Sequence, residues 1–284
     1  MIGVKKCFYS ALGEVRKVPE NITDPHLSKA FSNAESLIKE KGIDQVKTDA
    51  DRDRHGDTPA QISSAAGYLA LAFNALESVK EDYSDKESQE SLNRACRFFH
   101  FAGHGFLNLG NVNRAADAYR RSGVAGSVAD ETSSLSIRSL ARAKICYQDI
   151  GITEESDRMH ILEWHARLLA STGIRSILLN LWRVTSLYGV SLRRWVVSIA
   201  LTLSVFTLLY EGFARSGLLH GAGDGWTPLI SAFYYAVVTT TTVGYGEIHP
   251  LGPFAQVAVV LNIFIGYVLF AIGTTILGRK VLAR

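Results

Sequence analysis

The chain has 284 residues, with 30 Lys and Arg against 27 Asp and Glu and a formal net charge of +3. This is enough for one membrane module and one soluble domain. The basic residues are interspersed with acidic ones rather than gathered in a block, which argues against a nucleic-acid-binding surface. Cys7, Cys96 and Cys146 are widely spaced and odd in number, which reads as reduced cytosolic thiols rather than a disulfide framework or a zinc site built on close cysteine pairs.

Hydropathy divides the chain. Residues 1 to about 170 carry charge throughout, whereas two long apolar runs follow residue 190. The start, Met1 to Phe8, lacks the apolar stretch of a signal peptide, so the charged part is expected to remain in the cytoplasm.

Residues 27–41 repeat apolar side chains at helical spacing. Residues 44–58, with Asp49, Asp51, Asp53 and Asp57, read as a charged loop. Asp51-x-Asp53-x-x-Gly56 begins like a calcium loop, but Ile62 stands where a bidentate glutamate is required, so the segment is expected to be solvated. Residues 59–81 form an amphipathic helix with Leu69, Leu71, Phe73 and Leu76. Gln61, Ser63, Ser64 and Asn74 interrupt it too often for a membrane span.

Residues 89–172 read as two helical hairpins, 89–109 with 111–122 and 133–149 with 153–171. Leu109-Gly110 and Ile150-Gly151 place a glycine where the first helix of each hairpin must close. Ala115, Ala116 and Ala118 let a neighbouring helix approach. His100 and His104, four apart among Phe98, Phe99, Phe101 and Phe106, lack the intervening glutamate of a metalloprotease helix and read as core residues. Gly103-x-Gly105 has neither the lysine nor the strand of a phosphate loop.

The hairpins repeat at about forty residues, a period of helix-pair arrays. Leu109-Gly110-Asn111-Val112-Asn113-Arg114-Ala115-Ala116-Asp117-Ala118-Tyr119 resembles a tetratricopeptide or SNAP-type repeat. The resemblance implies a domain that binds a protein, peptide or small-molecule ligand.

Residues 173–188 place Ile174, Ile177, Leu178, Leu181 and Tyr188 on one face, with Arg175, Asn180 and Arg183 off it. This predicts a helix lying at a membrane surface, with Trp182 at headgroup level. Arg193-Arg194 then precede the apolar run Trp195–Tyr210, and the second run, Phe254–Leu277, ends at Arg279-Lys280 with Arg284 beyond. Basic residues at the start of the first span and the end of the second predict that both termini are cytoplasmic. Glu211, Arg215, Asp224 and Glu247 fall between the spans.

Thr227-Pro228 supplies a cap and a proline for a short helix, too short to cross the membrane. Irregular backbone at membrane depth is tolerated only when it is buried in protein or lines a watery path. The segment after this helix, Thr242-Val243-Gly244-Tyr245-Gly246, is therefore expected to line one. Gly244 and Gly246 can take positive φ and so re-aim the intervening carbonyls toward one side.

Phe233 to Gly246 resembles the pore segment of potassium channels, close to the voltage-gated members, and the likeness covers about a third of the chain with the outer helix included. It implies that carbonyls of Thr242, Val243, Gly244 and Tyr245, with Gly246, hold potassium as the permeant ion in a homotetramer. Tyr234, Tyr235 and Glu247 would support that filter, with both tyrosines bracing Tyr245. Gly266 would be a gating hinge, and Phe270 and Thr274 would face the cavity. Glu247 stands where aspartate is commoner, and Val238 leaves no carboxylate on the pore helix to pair with it. No arginine-rich sensor helix precedes the pore, so voltage sensing is not expected, nor is a regulatory domain after the inner helix.

The expectation is an all-α protein. Residues 1–172 form a cytoplasmic helical domain, 173–189 an interfacial linker helix, and 190–284 a pore domain. Within the pore domain the outer helix is 193–213, the pore helix 227–241, the filter 242–246 and the inner helix 253–278. No catalytic constellation is present, no cofactor is implied, and the setting is the plasma membrane.

Overall fold

The computed structural model describes residues 2–17, 24–80, 83–129, 134–221 and 225–282. Asp224 and Arg284 lie outside the described residues. The described chain is helical apart from one pair of two-residue strands, and it divides into two units, Met1–Ser176 and Ile177–Arg284.

The first unit holds α1 (Ile2–Val15), α2 (Pro25–Lys41), α3 (Ile43–Asp53), α4 (Thr58–Glu77), α5 (Lys86–Asn108), α6 (Val112–Val128), α7 (Ser134–Asp149) and α8 (Thr153–Leu169). Short polar side chains set the helix starts by accepting otherwise unpaired N–H groups. Asp24 accepts from His26 and Leu27, Asp57 from Ala60, and Asn111 from Arg114. From α4 to α8 each helix packs on the next in chain order.

Both expected hairpins are present, and they close alike. Gly110 and Gly151 have φ of 73° and 77°. Asn111 N–H donates to Phe106 C=O at 2.9 Å, and Ile152 N–H to Tyr147 C=O at 2.9 Å. These are the six-to-one bonds of a Schellman closure, for which glycine carries no Cβ penalty. Ala115, Ala116 and Ala118 are buried, as their pattern predicts. A Cβ added at Gly123 would lie 2.4 Å from Leu140 Cγ, so α6 and α7 approach as closely as a bare backbone allows.

The charged loop expected at 44–58 is instead mostly α3. Val46 and Ala50, four apart, bury one stripe toward Gly67 of α4, and Ser64 Oγ donates to Ala50 C=O at 2.7 Å. Two small apolar residues are a faint signal among so many acids, yet they suffice when the facing position is glycine. Asp51, expected to be solvated, accepts from Tyr68 OH of α4. α1 also lies outside the segments whose pattern predicts a helix. Buried Arg121 of α6 reaches back to it, donating from Nη1 to the carbonyls of Val15 at 2.5 Å and Lys17 at 2.8 Å. It thereby satisfies carbonyls at the helix end with a cation.

No disulfide joins the three cysteines, and Cys96 and Cys146 are buried. His100 and His104 are packed as expected. His100 Nδ1 lies 2.8 Å from Ser139 Oγ, which in turn meets Ser122 Oγ at 2.8 Å, so hydroxyls and imidazole join α5, α6 and α7.

In the second unit α9 (Gly173–Ser186), which begins in the first, is followed by α10 (Leu192–Arg215), β1 (Leu219–His220), α11 (Ile230–Thr240), β2 (His249–Pro250) and α12 (Gly252–Leu282). Ile174, Ile177, Leu178 and Leu181 are exposed along α9, as the pattern predicts. Tyr188 departs from that stripe. The helix stops at Ser186, Leu187 and Tyr188 take φ of 51° and 58°, and Tyr188 is buried edge-on to Trp182. The helices α10 and α12 are long and apolar enough to cross a membrane, and α11 is a shorter apolar helix between them. The strands pair antiparallel, Leu219 with Pro250 and His220 with His249.

Burial pushes His100 down to about 4, with repulsion from His104, Arg142, Arg138 and Arg54 acting the same way. An unfolded histidine titrates near 6.5, so the unfolded chain binds more protons between the two values. The contribution of His100 is complete above about pH 6.5 and is lost as pH falls toward about 4. Thermal melts of the first unit's helical signal should drop through that window. His100→Gln, which keeps a partner for Ser139, should flatten the slope.

Candidate functional site

α10 and α12 run antiparallel and are joined at two levels. Trp195 Nε1 donates to Leu269 C=O at 2.7 Å, and its ring covers Gly273, where a Cβ would lie 2.4 Å from Cζ2. Near their other ends, Asn262 Nδ2 donates to Tyr210 OH at 3.0 Å. Arg193 and Arg194 of α10 and Arg279 and Lys280 of α12 thus fall at the same end of the pair.

α11 fits against this pair through buried polar groups. Asn262 and Tyr210 are both 0 % exposed. Thr240 Oγ1 donates to Asn262 Oδ1 at 2.8 Å, so one amide joins α10, α11 and α12. One turn along α12, Gly266 lies under the end of α11, where an added Cβ would lie 2.2 Å from Thr240 C=O. α12 runs unbroken through Gly266, so this glycine serves a close approach in the structure. The other end of α11 is held by Glu211, which accepts from Arg215 Nε at 2.9 Å, Trp226 Nε1 at 3.1 Å and Leu229 N–H at 3.2 Å. Glu211 is 6 % exposed and belongs to α10 rather than to the stretch between the two long helices. α11 begins at Ile230 rather than 227, because Leu229 sits at φ 62°, and Thr227 N–H donates to Ser231 Oγ in place of the expected cap.

The segment 242–246 leaves α11 through a Schellman-type closure. Thr242 N–H donates to Thr239 C=O at 3.0 Å and Val243 N–H to Val238 C=O at 3.0 Å. Thr242 occupies the left-handed position, at φ 59°. Gly244 and Gly246 follow at φ 54° and 87°, the conformations anticipated for them. Val243 and Tyr245 are 53 % and 70 % exposed in a single chain.

Glu247 meets Tyr234 OH, which donates to its Oε1 at 2.5 Å. α11 thus meets Glu247 with a phenol rather than with a carboxylate. Tyr235 turns the other way within the chain, packing on Tyr210 with ring centroids 4.7 Å apart, rather than bracing Tyr245. Phe270 and Thr274 are exposed on α12. Asn262 and Glu211, which hold the two ends of α11, stand outside the sequence motifs. A lone amide inside a long apolar run and an acid at the end of another were the available signals.

A family model described as an ion channel matches residues 195–283. Comparison with curated proteins found no match, and comparison with solved structures found none. With the two long apolar helices, the family match supports a membrane-embedded protein whose C-terminal part is a channel-family, pore-like module. It fits a transport-type protein rather than an enzyme, and among the described residues no group of three or more His, Cys, Asp and Glu could hold a metal ion.

Gly266→Ala should force the end of α11 away from α12 and destabilise the second unit by about 1–3 kcal/mol. Thermal melting of the purified protein in detergent would measure this. A melting temperature equal to wild type would count against a close approach of α11 at Gly266.

Proposed function

We propose that the chain is one subunit of a homotetrameric, potassium-selective channel in the plasma membrane. Its C-terminal module forms the pore, and residues 1–172 regulate it. The observation that carries the reading is the segment Thr242–Gly246, held at the end of a short apolar helix between two spans, with both glycines at positive φ.

A dehydrated cation needs oxygens on all sides, and one strand supplies them on one side only. Four copies around an axis complete the shell. The ions would sit among carbonyls of Thr242, Val243, Gly244 and Tyr245, with the Thr242 hydroxyl at the inner end. Tyr234 and Glu247 would hold the outer end of the segment in place. α11 would re-enter the membrane partway, its carbonyl end directing partial negative charge toward the cavity. Phe270 and Thr274 would line that cavity.

Further support comes from apolar surface. Phe254, Phe264, Tyr267 and Phe270 of α12 and Ile230 and Phe233 of α11 are each at least 50 % exposed in one chain. A helix that is apolar all round belongs against lipid or other helices. The exposed stripe of α9 fits a helix lying at the bilayer surface. The shared basic end of α10 and α12 supports a cytoplasmic position for both termini by the positive-inside rule. The helical first unit, covalently continuous with α9 and α10, is suited to bind a protein, peptide or small-molecule ligand and pass that event to the pore.

Purified protein in planar bilayers, with potassium on one side and sodium on the other, should give currents reversing near the potassium equilibrium potential. Currents reversing near zero would mean a less selective pore. Gly246→Ala places a Cβ at φ 87°, a cost of roughly 1–2 kcal/mol per subunit. It should abolish selectivity or conduction; currents like wild type would count against the filter assignment.

Removing residues 1–172 should change open probability. An unchanged open probability under every ligand tested would dismiss the regulatory role.

A further inference from the structure

We infer that His220 and His249 form a binding site for a divalent transition-metal ion, of the class that prefers imidazole ligands, at the strand pair beside residues 242–246. The two histidines are direct cross-strand partners, and their ring centroids are 4.5 Å apart with planes inclined at 38°. Opposed positions on an antiparallel pair bring side chains as close as a sheet allows. Both residues are exposed.

The backbone beneath them is fixed. Leu251 N–H donates to Leu218 C=O at 2.7 Å, just beyond the bridged residues. Gly221, at φ 85°, lies so close to Glu247 C=O that an added Cβ would be 2.2 Å from that oxygen. The two imidazoles are thus carried on a short ribbon that cannot readily slide, next to the residue that follows Gly246.

Zinc binds imidazole nitrogen at about 2.0–2.1 Å and prefers tetrahedral geometry, so two coordinating nitrogens must lie roughly 3.3 Å apart. The rings, 4.5 Å apart and inclined at 38°, reach that arrangement when their exposed side chains turn so that one nitrogen of each points to a common ion. Zn²⁺, Ni²⁺ and Cu²⁺ all accept neutral imidazole, and two protein ligands leave the remaining positions to water. A single ion would bridge the strands and stiffen the chain where it leaves the 242–246 segment.

The other histidine pair is a poor competitor. His100 and His104 have ring centroids 5.6 Å apart, but His100 Nδ1 is engaged by Ser139, and the arginines Arg54, Arg138 and Arg142 oppose a further cation there.

The test is titration of ZnCl₂ into the tag-free, detergent-purified full chain, followed by calorimetry at neutral pH. The wild type should show one saturable site per chain, and His220→Ala and His249→Ala should each weaken it at least tenfold. As both residues are exposed, circular dichroism should match wild type. Absence of saturable binding in the wild type would overturn the assignment. So would affinity unchanged in either variant, or affinity lost only on replacing His100 or His104. The readout is binding rather than conduction, so it stands or falls separately from the channel reading.

Discussion

The second unit depends on a single buried amide. Asn262 gives its NH₂ group to the phenol of Tyr210 and accepts the hydroxyl of Thr240, so all three helices of the module meet at one side chain. A buried polar group with no partner costs about 1–3 kcal/mol, and that penalty makes the arrangement directional. Apolar contacts alone would let α11 slide or turn against α10 and α12 with little change in buried area. The amide admits one register. Gly266, one turn away, then lets the backbone of α12 come up to the Thr240 carbonyl, and the end of α11 is fixed in both position and rotation.

Fixing that end is what sets the geometry of the following five residues. The closures after α5 and α7 place glycine in the left-handed position, at Gly110 and Gly151, whereas α11 places Thr242 there. A residue with a Cβ costs roughly 1–2 kcal/mol more in this conformation. The clamp by Asn262 and Gly266 offsets such strain by holding the helix end, and the chain keeps a hydroxyl where glycine would relax more easily. Strain at a candidate site is a common sign that the side chain has a task other than folding.

Local signals carried much of this architecture. Two glycines after apolar residues marked the hairpin closures, and hydropathy marked α10 and α12. The TVGYG segment marked the candidate site, and its glycines have the positive φ that their lack of Cβ allows. What escaped was the choice of distant partners. α3 looked like a loop because its acids outweigh Val46 and Ala50, and only the glycine facing them on α4 makes so small a stripe enough. Tyr234 and Tyr235, adjacent in sequence, point to Glu247 and Tyr210 respectively, and adjacent residues on a helix have no reason to share a target. The role of Glu211 was not legible because its partners, Trp226 and the Leu229 N–H, lie 15 and 18 residues on.

The hold of Arg121 on α1 has a consequence for the order in which the chain is made. The carbonyl of Val15 and the guanidinium that satisfies it are 106 residues apart. Synthesis at roughly 5–20 residues per second leaves the N-terminal helix waiting several seconds for its partner. During that time Phe8 and Leu12, fully buried in the finished unit, have no α6 to cover them. Within this chain α1 is thus made before α6 and completes its packing after it. α4 and α5 can pair before α6 exists, and α1 can already meet Tyr83, but the hold of Arg121 on its end forms only after α6. Until then Phe8 and Leu12 of α1 offer an apolar surface that a chaperone on the nascent chain would recognise.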